Sequence, residues 1–220
     1  MRTEEEIRRI CTENGIKDYS IESDGSVNVN GAIAMTYEDL EELPLDFGVV
    51  TGDFICHNNL LTTLKGSPHT VHGDFSCSHN QLTSLEGGPE YVGGSFACKD
   101  NNLYNLEGSP RTVDYGFECS ENDLNSLAGC STEIGASLIS RHNHIRNLDG
   151  LDAKIAGKLI LDRTPIESIF NDVQQDFIDA FKIYKVIKGR TVNLKRLKYV
   201  MGLFDKHINL QRIERHYKVV

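Results

Sequence analysis

The residues of this 220-residue chain recur at an interval of 21 over more than half of its length. Four copies share the pattern F-x-C-x-x-N-x-L-x-x-L-x-G-x-P-x-x-V, although the fourth lacks the proline. These copies occupy residues 52–72, 73–93, 94–114 and 115–135. A weaker copy follows at 136–156, a partial one begins at Gly157, and apolar residues from Gly31 onward keep the same register. Such self-similarity is the sequence signature of a stacked array, so we predict a solenoid over residues 31–169.

The pattern assigns a structural role to each repeated residue. Phe75 and Cys77 are two residues apart, so both point to the same face of a strand. Asn80 ends that strand, where its amide can bond backbone groups of neighbouring turns. We therefore expect a curved parallel sheet with one strand per 21 residues. The expected core column is Phe54, Phe75, Phe96 and Phe117, and the expected amide ladder is Asn59, Asn80, Asn101, Asn122 and Asn143.

The strand part of the pattern, apolar-x-apolar-x-x-Asn-x-Leu, resembles the leucine-rich repeat. At 21 residues it is similar to the short repeats of hypothetical proteins from tailed bacteriophages and some bacteria, and the resemblance covers roughly residues 31–169. Phe and Cys stand where leucine is typical, which affects packing rather than the fold. The resemblance implies an α/β repeat solenoid with a leucine-rich-repeat-like parallel sheet. It further implies a phage factor that acts on a host or defence protein.

The residues before the repeats predict an N-terminal cap over residues 1–30. Thr3 and Glu6 form a capping box ahead of a short helix. Asp24-Gly25, between two short apolar segments, predicts a hairpin. Repeat arrays need such ends, because an open terminal turn exposes apolar core.

The residues after the repeats, 170–220, predict a helical and basic C-terminal cap. Apolar residues recur there at steps of three and four, which predicts one helix from Phe170 to Lys188 and a second helix capped by Asn193. The chain then divides into three parts: 1–30, 31–169 and 170–220.

Charge is distributed unevenly along the chain. Residues 1–180 carry a net charge of −18, whereas residues 181–220 carry +9. An acidic body repels nucleic acid, and a basic tail attracts it or docks elsewhere. The chain has no apolar run of about 18 residues, and its first residues lack the basic and apolar regions of a secretory signal. We therefore expect a cytoplasmic protein without a membrane segment, located in the host cytoplasm if a phage encodes it.

The six cysteines and eight histidines do not predict a metal or redox site. The regular spacing of the cysteines indicates core side chains with free thiols, because zinc ligands usually come in closely spaced pairs. His57 and His79 fall near one surface, without a carboxylate or Cys at ligand spacing. No G-x-S-x-G, H-E-x-x-H or phosphate-binding glycine loop occurs. We therefore expect no catalytic residues, no metal, no cofactor and no enzymatic activity.

The expected function is that of a non-catalytic scaffold which binds a protein partner on the concave face of its sheet. Residues that alternate with the core positions point outward, and their residue types differ from copy to copy. Such variation is expected of surface positions that core packing does not constrain. Lys99 and Arg141 could pair with acidic groups of a partner, and Ile55 and Ile139 could supply apolar anchors. The full candidate set is Ile55, His57, Ser76, Ser78, His79, Lys99, Glu118, Ser120, Ile139, Arg141 and Arg163.

The basic tail leaves a second hypothesis open, in which the protein associates with nucleic acid. The candidate contacts are Lys188, Arg190, Lys195, Arg196 and Lys198. The alternative explanation is a solvated outer face of two amphipathic helices, because no nucleic-acid-binding motif accompanies these cations.

Overall fold

The computed structural model describes residues 2–220, and its repeats form a β-solenoid of about six turns, each of about 21 residues, with parallel strands. The strands are β1 (Tyr19–Ile21), β2 (Val27–Val29), β3 (Ile33–Ala34), β4 (Phe47–Val50), β5 (Phe54–Ile55), β6 (Thr70–Val71), β7 (Phe75–Ser76), β8 (Tyr91–Val92), β9 (Phe96–Ala97), β10 (Thr112–Val113), β11 (Phe117–Glu118), β12 (Glu133–Ile134), β13 (Leu138–Ile139), β14 (Lys154–Ile155), β15 (Leu159–Ile160), β16 (Ile187–Lys188), β17 (Thr191–Val192) and β18 (Lys218–Val219). The helices are α1 (Glu4–Glu13), α2 (Gln175–Ile183), α3 (Leu194–Leu203) and α4 (Leu210–Ile213), and Pro165–Ser168 form a 3-10 turn.

Each complete repeat contributes two short strands, which belong to two different sheets. The first sheet has the order β1-β2-β4-β6-β8-β10-β12-β14, and the second has the order β15-β13-β11-β9-β7-β5-β3. Neighbouring turns pair in parallel through residues 21 apart, such as Phe75 with Phe96 and Val71 with Val92. The prediction of one strand per repeat is therefore wrong. The dipeptide that ends in the repeated valine is also extended and pairs with the same dipeptide of the neighbouring turns. Two residues are too few to show the alternation by which a strand is predicted from sequence.

The repeated phenylalanines form the predicted buried column. Phe54 and Phe75 stack with ring centroids 5.5 Å apart, and Phe75 and Phe96 stack at 5.4 Å. Phe117 continues the column at 4.9 Å from Phe96, with a tilted ring. All four side chains are fully buried. Stacking at the turn spacing places each ring against the next, so the column runs through the core of four successive turns.

The repeated asparagines form the predicted amide ladder, which joins each turn to the one before it. The Asn101 amide donates to the Cys77 carbonyl of the preceding turn (3.1 Å) and to the Cys98 carbonyl of its own turn (3.2 Å). Its oxygen accepts the Leu82 backbone N–H at 2.9 Å. The same arrangement recurs at Asn59, Asn80, Asn122 and Asn143. Backbone groups at this bend are thereby satisfied by side chains within the interior.

Two corners of each turn have left-handed backbone. One corner is a glycine with φ between 76° and 91°, at Gly66, Gly87, Gly108, Gly129 and Gly150. A Cβ added to Gly108 or Gly129 would overlap the backbone of the preceding turn, so both the conformation and the close approach require glycine. The other corner follows the Phe strand and carries residues other than glycine, with φ between 53° and 59°. These residues are Tyr37, Asn58, His79, Asp100, Glu121, His142 and Arg163.

A helix and a hairpin precede the repeats. The Thr3 hydroxyl accepts from the Glu6 backbone and the Glu6 carboxylate accepts from the Thr3 backbone, so the capping box is present at the start of α1. Ile7 and Cys11 are the buried residues of α1. Strands β1 and β2 form an antiparallel hairpin, and β2 continues into the first sheet by pairing with β4.

The C-terminal residues form helices and a small sheet. Helix α2 begins at Gln175, later than predicted, and Val173 instead exchanges backbone hydrogen bonds with Leu159 of the last repeat strand. Helix α3 begins as predicted, with the Asn193 side chain accepting from the Arg196 backbone at 3.0 Å. The three-stranded sheet β16-β17-β18 was not predicted. It forms because β18 returns from the chain end to pair beside β17.

Replacing Phe96 by Ala should lower the free energy of unfolding by about 3–5 kcal/mol, because it leaves a cavity between two stacked rings. Tyr104 is a matched control, since it belongs to the same repeat and is 58% exposed. Tyr104→Ala should change the stability by no more than about 0.5 kcal/mol. Urea denaturation followed by circular dichroism measures both variants. Equal stability of the two would contradict the burial of the phenylalanine column.

Candidate binding surface

The predicted binding residues lie in three rows along the outside of the second sheet, which we call the strand face. The first row follows each core aromatic or leucine, the second follows each core cysteine or its equivalent, and the third is the left-handed corner. The first row is Ile55, Ser76, Ala97, Glu118, Ile139 and Ile160. The second is His57, Ser78, Lys99, Ser120, Arg141 and Asp162. The third is Asn58, His79, Asp100, Glu121, His142 and Arg163. Pairing in register places successive members of the first row on neighbouring strands.

The three rows differ in how far their side chains reach solvent. The first row is half-buried throughout, including Ile55, Ser76, Glu118 and Ile139. In the second row Ser78 and Ser120 are buried, at 7% and 3% exposed. The folded chain therefore exposes little of these two predicted binding residues to a partner. A serine hydroxyl cannot extend beyond the longer side chains of the neighbouring turns, and that of Ser120 accepts the Arg141 backbone N–H at 2.8 Å.

Charged side chains of the strand face pair with one another between adjacent turns. His79 Nδ1 lies 2.7 Å from the Asp100 carboxylate. Lys99 Nζ lies 3.2 Å from Glu121, and Arg141 Nε donates to Asp162 at 2.8 Å. Lys99 and Arg141 were predicted to pair with acidic groups of a binding partner. In the structure both form ion pairs with acidic residues of their own chain. All of these side chains remain partly exposed, so each pair contributes little to stability and a binding partner can exchange for it.

Arg163 is the exposed end of the third row and takes part in none of the ion pairs formed among residues 2–220. Its backbone N–H donates to the Glu167 carboxylate at 2.6 Å, which fixes the chain where the last repeat ends. The Arg163 side chain is therefore presented to solvent.

Tyr37, which was not predicted from the sequence, extends the third row at the N-terminal end of the strand face. It shares the left-handed backbone of that row and is 75% exposed. Its ring meets that of His57 edge to face, with centroids 6.0 Å apart. The position was overlooked because its copy has Ile33 and Met35 in place of Phe and Cys. The signal that identifies it is its place 21 residues before Asn58.

The histidines of the repeats are not gathered into a ligand set. His57 Nδ1 contacts the Asn58 amide, and His79 contacts Asp100. His69 and His72 flank β6, in the other sheet. Over the described range, 2–220, no three His, Cys, Asp or Glu side chains are arranged to hold a metal ion.

The cations predicted to contact nucleic acid lie on the C-terminal unit, away from the strand face. Lys188 and Arg190 belong to the hairpin of β16 and β17, and Lys195, Arg196 and Lys198 are on α3; all five are exposed. Near them two exposed rings meet, since Tyr184 and Tyr199 have centroids 4.9 Å apart. Other basic residues of this unit are paired with the repeats, as shown by Arg212 with Glu167 at 2.5 Å and Lys182 with Asp152 at 3.3 Å.

Comparisons with protein-family models, with curated proteins and with solved structures found no match. None of the helices within residues 2–220 combines the length and the apolar character needed to cross a membrane.

The repeated cysteines form a second interior column beside the phenylalanines. Cys56, Cys77, Cys98 and Cys119 are free thiols and fully buried. Burial raises the pKa of Cys56 and Cys119 to about 12 and the pKa of Cys77 and Cys98 well above its usual range. These thiols are neutral at physiological pH, and a neutral thiol is a poor nucleophile and a poor metal ligand.

Titration with a thiol reagent at pH 8 should find six thiols in the denatured protein without added reductant. The native protein should show at most one, the half-buried Cys130, because the other five are buried and the thiolate is the reactive form. Fewer than six thiols after denaturation would indicate a disulfide. Rapid reaction of four or more in the native state would contradict the buried column.

Proposed function

We propose that this protein is a non-catalytic scaffold that binds a protein partner through the strand face. The observation that carries the proposal is the left-handed row from Tyr37 to Arg163. Six of its seven members are exposed and Asn58 is half-buried. Left-handed backbone disfavours most residues with a Cβ by roughly 1–2 kcal/mol, although Asn, Asp and His tolerate it better, so the cost is largest at Tyr37, Glu121 and Arg163.

The opposite corner of each turn supports this interpretation by contrast. The chain has glycine there in five successive copies, from Gly66 to Gly150. At the strand-face corner it instead keeps six different residue types in seven copies. Glycine at this corner would remove the cost of the left-handed backbone conformation. It would remove no buried contact at the six exposed positions, because their side chains point to solvent. Local strain of this kind is typical of positions whose side chains serve binding.

The chemistry of the face suits a protein rather than a small molecule. Half-buried Ile139 and Ile160 are neighbours on adjacent strands at one end, which provides an apolar contact area. Acidic and basic groups alternate along the middle, as in Asp100 and Lys99. Protein interfaces combine apolar contact area with polar and charged groups, and both are present on this face. Repeat solenoids offer such extended surfaces to macromolecules.

The proposal also covers the type of repeat, the two caps and the origin of the partner. The Asn column and the apolar strand positions support a leucine-rich-repeat-like solenoid, with α1 and its hairpin as one cap and the C-terminal unit as the other. The resemblance to phage repeats supports a bacterial host or defence protein as the partner, met in the host cytoplasm.

A second candidate function is association with single-stranded nucleic acid through the C-terminal unit. The favouring observation is the exposed Tyr184–Tyr199 pair, which lies among cations such as Lys195 and Lys198. Bases stack on exposed rings while lysines follow the phosphates. The net charge of −18 over residues 1–180 opposes this function, because it repels the same polymer.

The test is capture from a nuclease-treated bacterial lysate by the immobilised full chain and by the variant His79→Gly/Asp100→Gly/Glu121→Gly. Glycine removes three side chains of the face and suits the left-handed backbone, so the fold should be kept. We expect the parent to retain a protein that the variant retains at least about tenfold less, since interface energy is concentrated in a few residues. Mass spectrometry with isotope labelling measures the ratio.

The control variant is Glu86→Ala/Glu107→Ala, which removes exposed acids beside the glycine corner and should leave capture unchanged. The proposal would be contradicted if the parent retained no protein more strongly than the glycine variant does. Loss of capture in Lys195→Gln/Lys198→Gln with retention in the glycine variant would place binding on the C-terminal unit instead.

A further inference from the structure

A cleft of about 650 Å³ lies where the repeats meet the C-terminal unit. One wall is the turn Asn147–Gly150, and the other is the chain from the end of α2 to the hairpin of β16 and β17. Pockets of about 300–1,000 Å³ are the usual size for small organic ligands. The cleft is distinct from the strand face and plays no part in the proposed scaffold function.

Cations outnumber carboxylates in this cleft. Lys182, Lys185, Lys188 and Arg196 line it, together with one acid, Asp149. Lys182 is held in place, since its ammonium donates to the Leu151 carbonyl and contacts Asp152.

Two of the lysines are free to meet a ligand. Lys185 and Lys188 are exposed and belong to none of the ion pairs found over residues 2–220. The cleft therefore carries an excess of positive charge that its own chain does not neutralise.

Hydrogen bonds hold the backbone of Lys185 and the side chain of Arg196 in place. Lys185 has left-handed backbone, with φ 46°, and its N–H donates to the Lys182 carbonyl at 3.0 Å. Its own carbonyl accepts from Arg196 Nη1 at 3.2 Å, which ties α3 to the segment after α2. Arg196 keeps Nε and Nη2 for a further acceptor. Positions fixed before binding lower the entropy cost of ligand capture.

The floor of the cleft is apolar. Leu148 and Phe181 line it and are each only 3% exposed. Only a small apolar area of the floor is therefore open to the cleft, where the edge of an aromatic or aliphatic body could contact it.

We propose that the cleft binds a small organic phosphate monoester, with its phosphate on Lys185, Lys188 and Arg196 and its apolar body on Leu148 and Phe181. A phosphate dianion matches several cations that line one cleft better than a single carboxylate does. The guanidinium can bind two of its oxygens, and the lysines act as point charges.

The experiment is isothermal titration of the full chain with phenyl phosphate, with inorganic phosphate and phenol as separate arms. Phenyl phosphate should bind at least about tenfold more tightly than either part alone, because only it satisfies both walls. Lys185→Gln/Lys188→Gln should weaken that binding by about tenfold or more, since charge-assisted contacts are lost. Lys195→Gln/Lys198→Gln removes two exposed cations of α3 that do not line the cleft and should leave binding unchanged.

Absence of phenyl phosphate binding at millimolar ligand would overturn the proposal. Equal weakening in the two lysine variants would also overturn it, because that result indicates a general response to charge. Equal affinity for phenyl phosphate and inorganic phosphate would refute the role of the apolar wall. A 5′-phosphorylated oligonucleotide, with the unphosphorylated strand as control, separates the sources of the phosphate. Competition with phenyl phosphate by both strands equally would show a phosphodiester surface and contradict the monoester site.

Discussion

The structure depends on the column of asparagines, four of the five buried, that joins each turn to the one before it. The strands of the repeats are mostly two residues long, which is too short for ladder hydrogen bonds alone to hold them. Each asparagine adds a bond to its own turn and bonds to the preceding turn, as Asn122 does with Cys119, Cys98 and Leu103. An amide is suited to this position because it donates and accepts on one planar group. Removing Asn122 would leave the buried Leu103 N–H without an acceptor and would take one of two asparagine donors from the Cys98 and Cys119 carbonyls.

The fixed interval that this column imposes determines what else the turn can contain. Phenylalanine rings stack because every turn places them at one height, and the repeated cysteines, leucines and valines are buried in the same interior. The corner after the strand is held in a left-handed conformation, and its side chains point outward in a row. The binding surface is thus a product of the same geometry that builds the core. A partner would meet an ordered array in which pairs such as Lys99 with Glu121 already hold their side chains.

Features that recur in register could be predicted from sequence, whereas features that depend on distant or non-repeated neighbours could not. The phenylalanine column and the amide ladder follow from identical residues at one interval. The second sheet was missed because a dipeptide such as Thr70–Val71 is too short for alternation to be seen. The burial of Ser78 and the pairing of Arg141 with Asp162 depend on the size and charge of the next turn's side chains. The C-terminal sheet joins Thr191 to Lys218, and no local pattern signals that pairing.

The most direct test of this account compares Asn101→Leu with Asn102→Leu by urea denaturation. Asn101 is buried and bridges two turns, whereas Asn102, the next residue, has an exposed side chain. We predict that Asn101→Leu lowers the free energy of unfolding by about 1–3 kcal/mol, because the Leu82 N–H loses its acceptor and the Cys77 and Cys98 carbonyls each lose one of two asparagine donors. Asn102→Leu should change it by less than about 0.5 kcal/mol. Equal stability of the two variants would contradict the claim that the asparagine column holds the solenoid together.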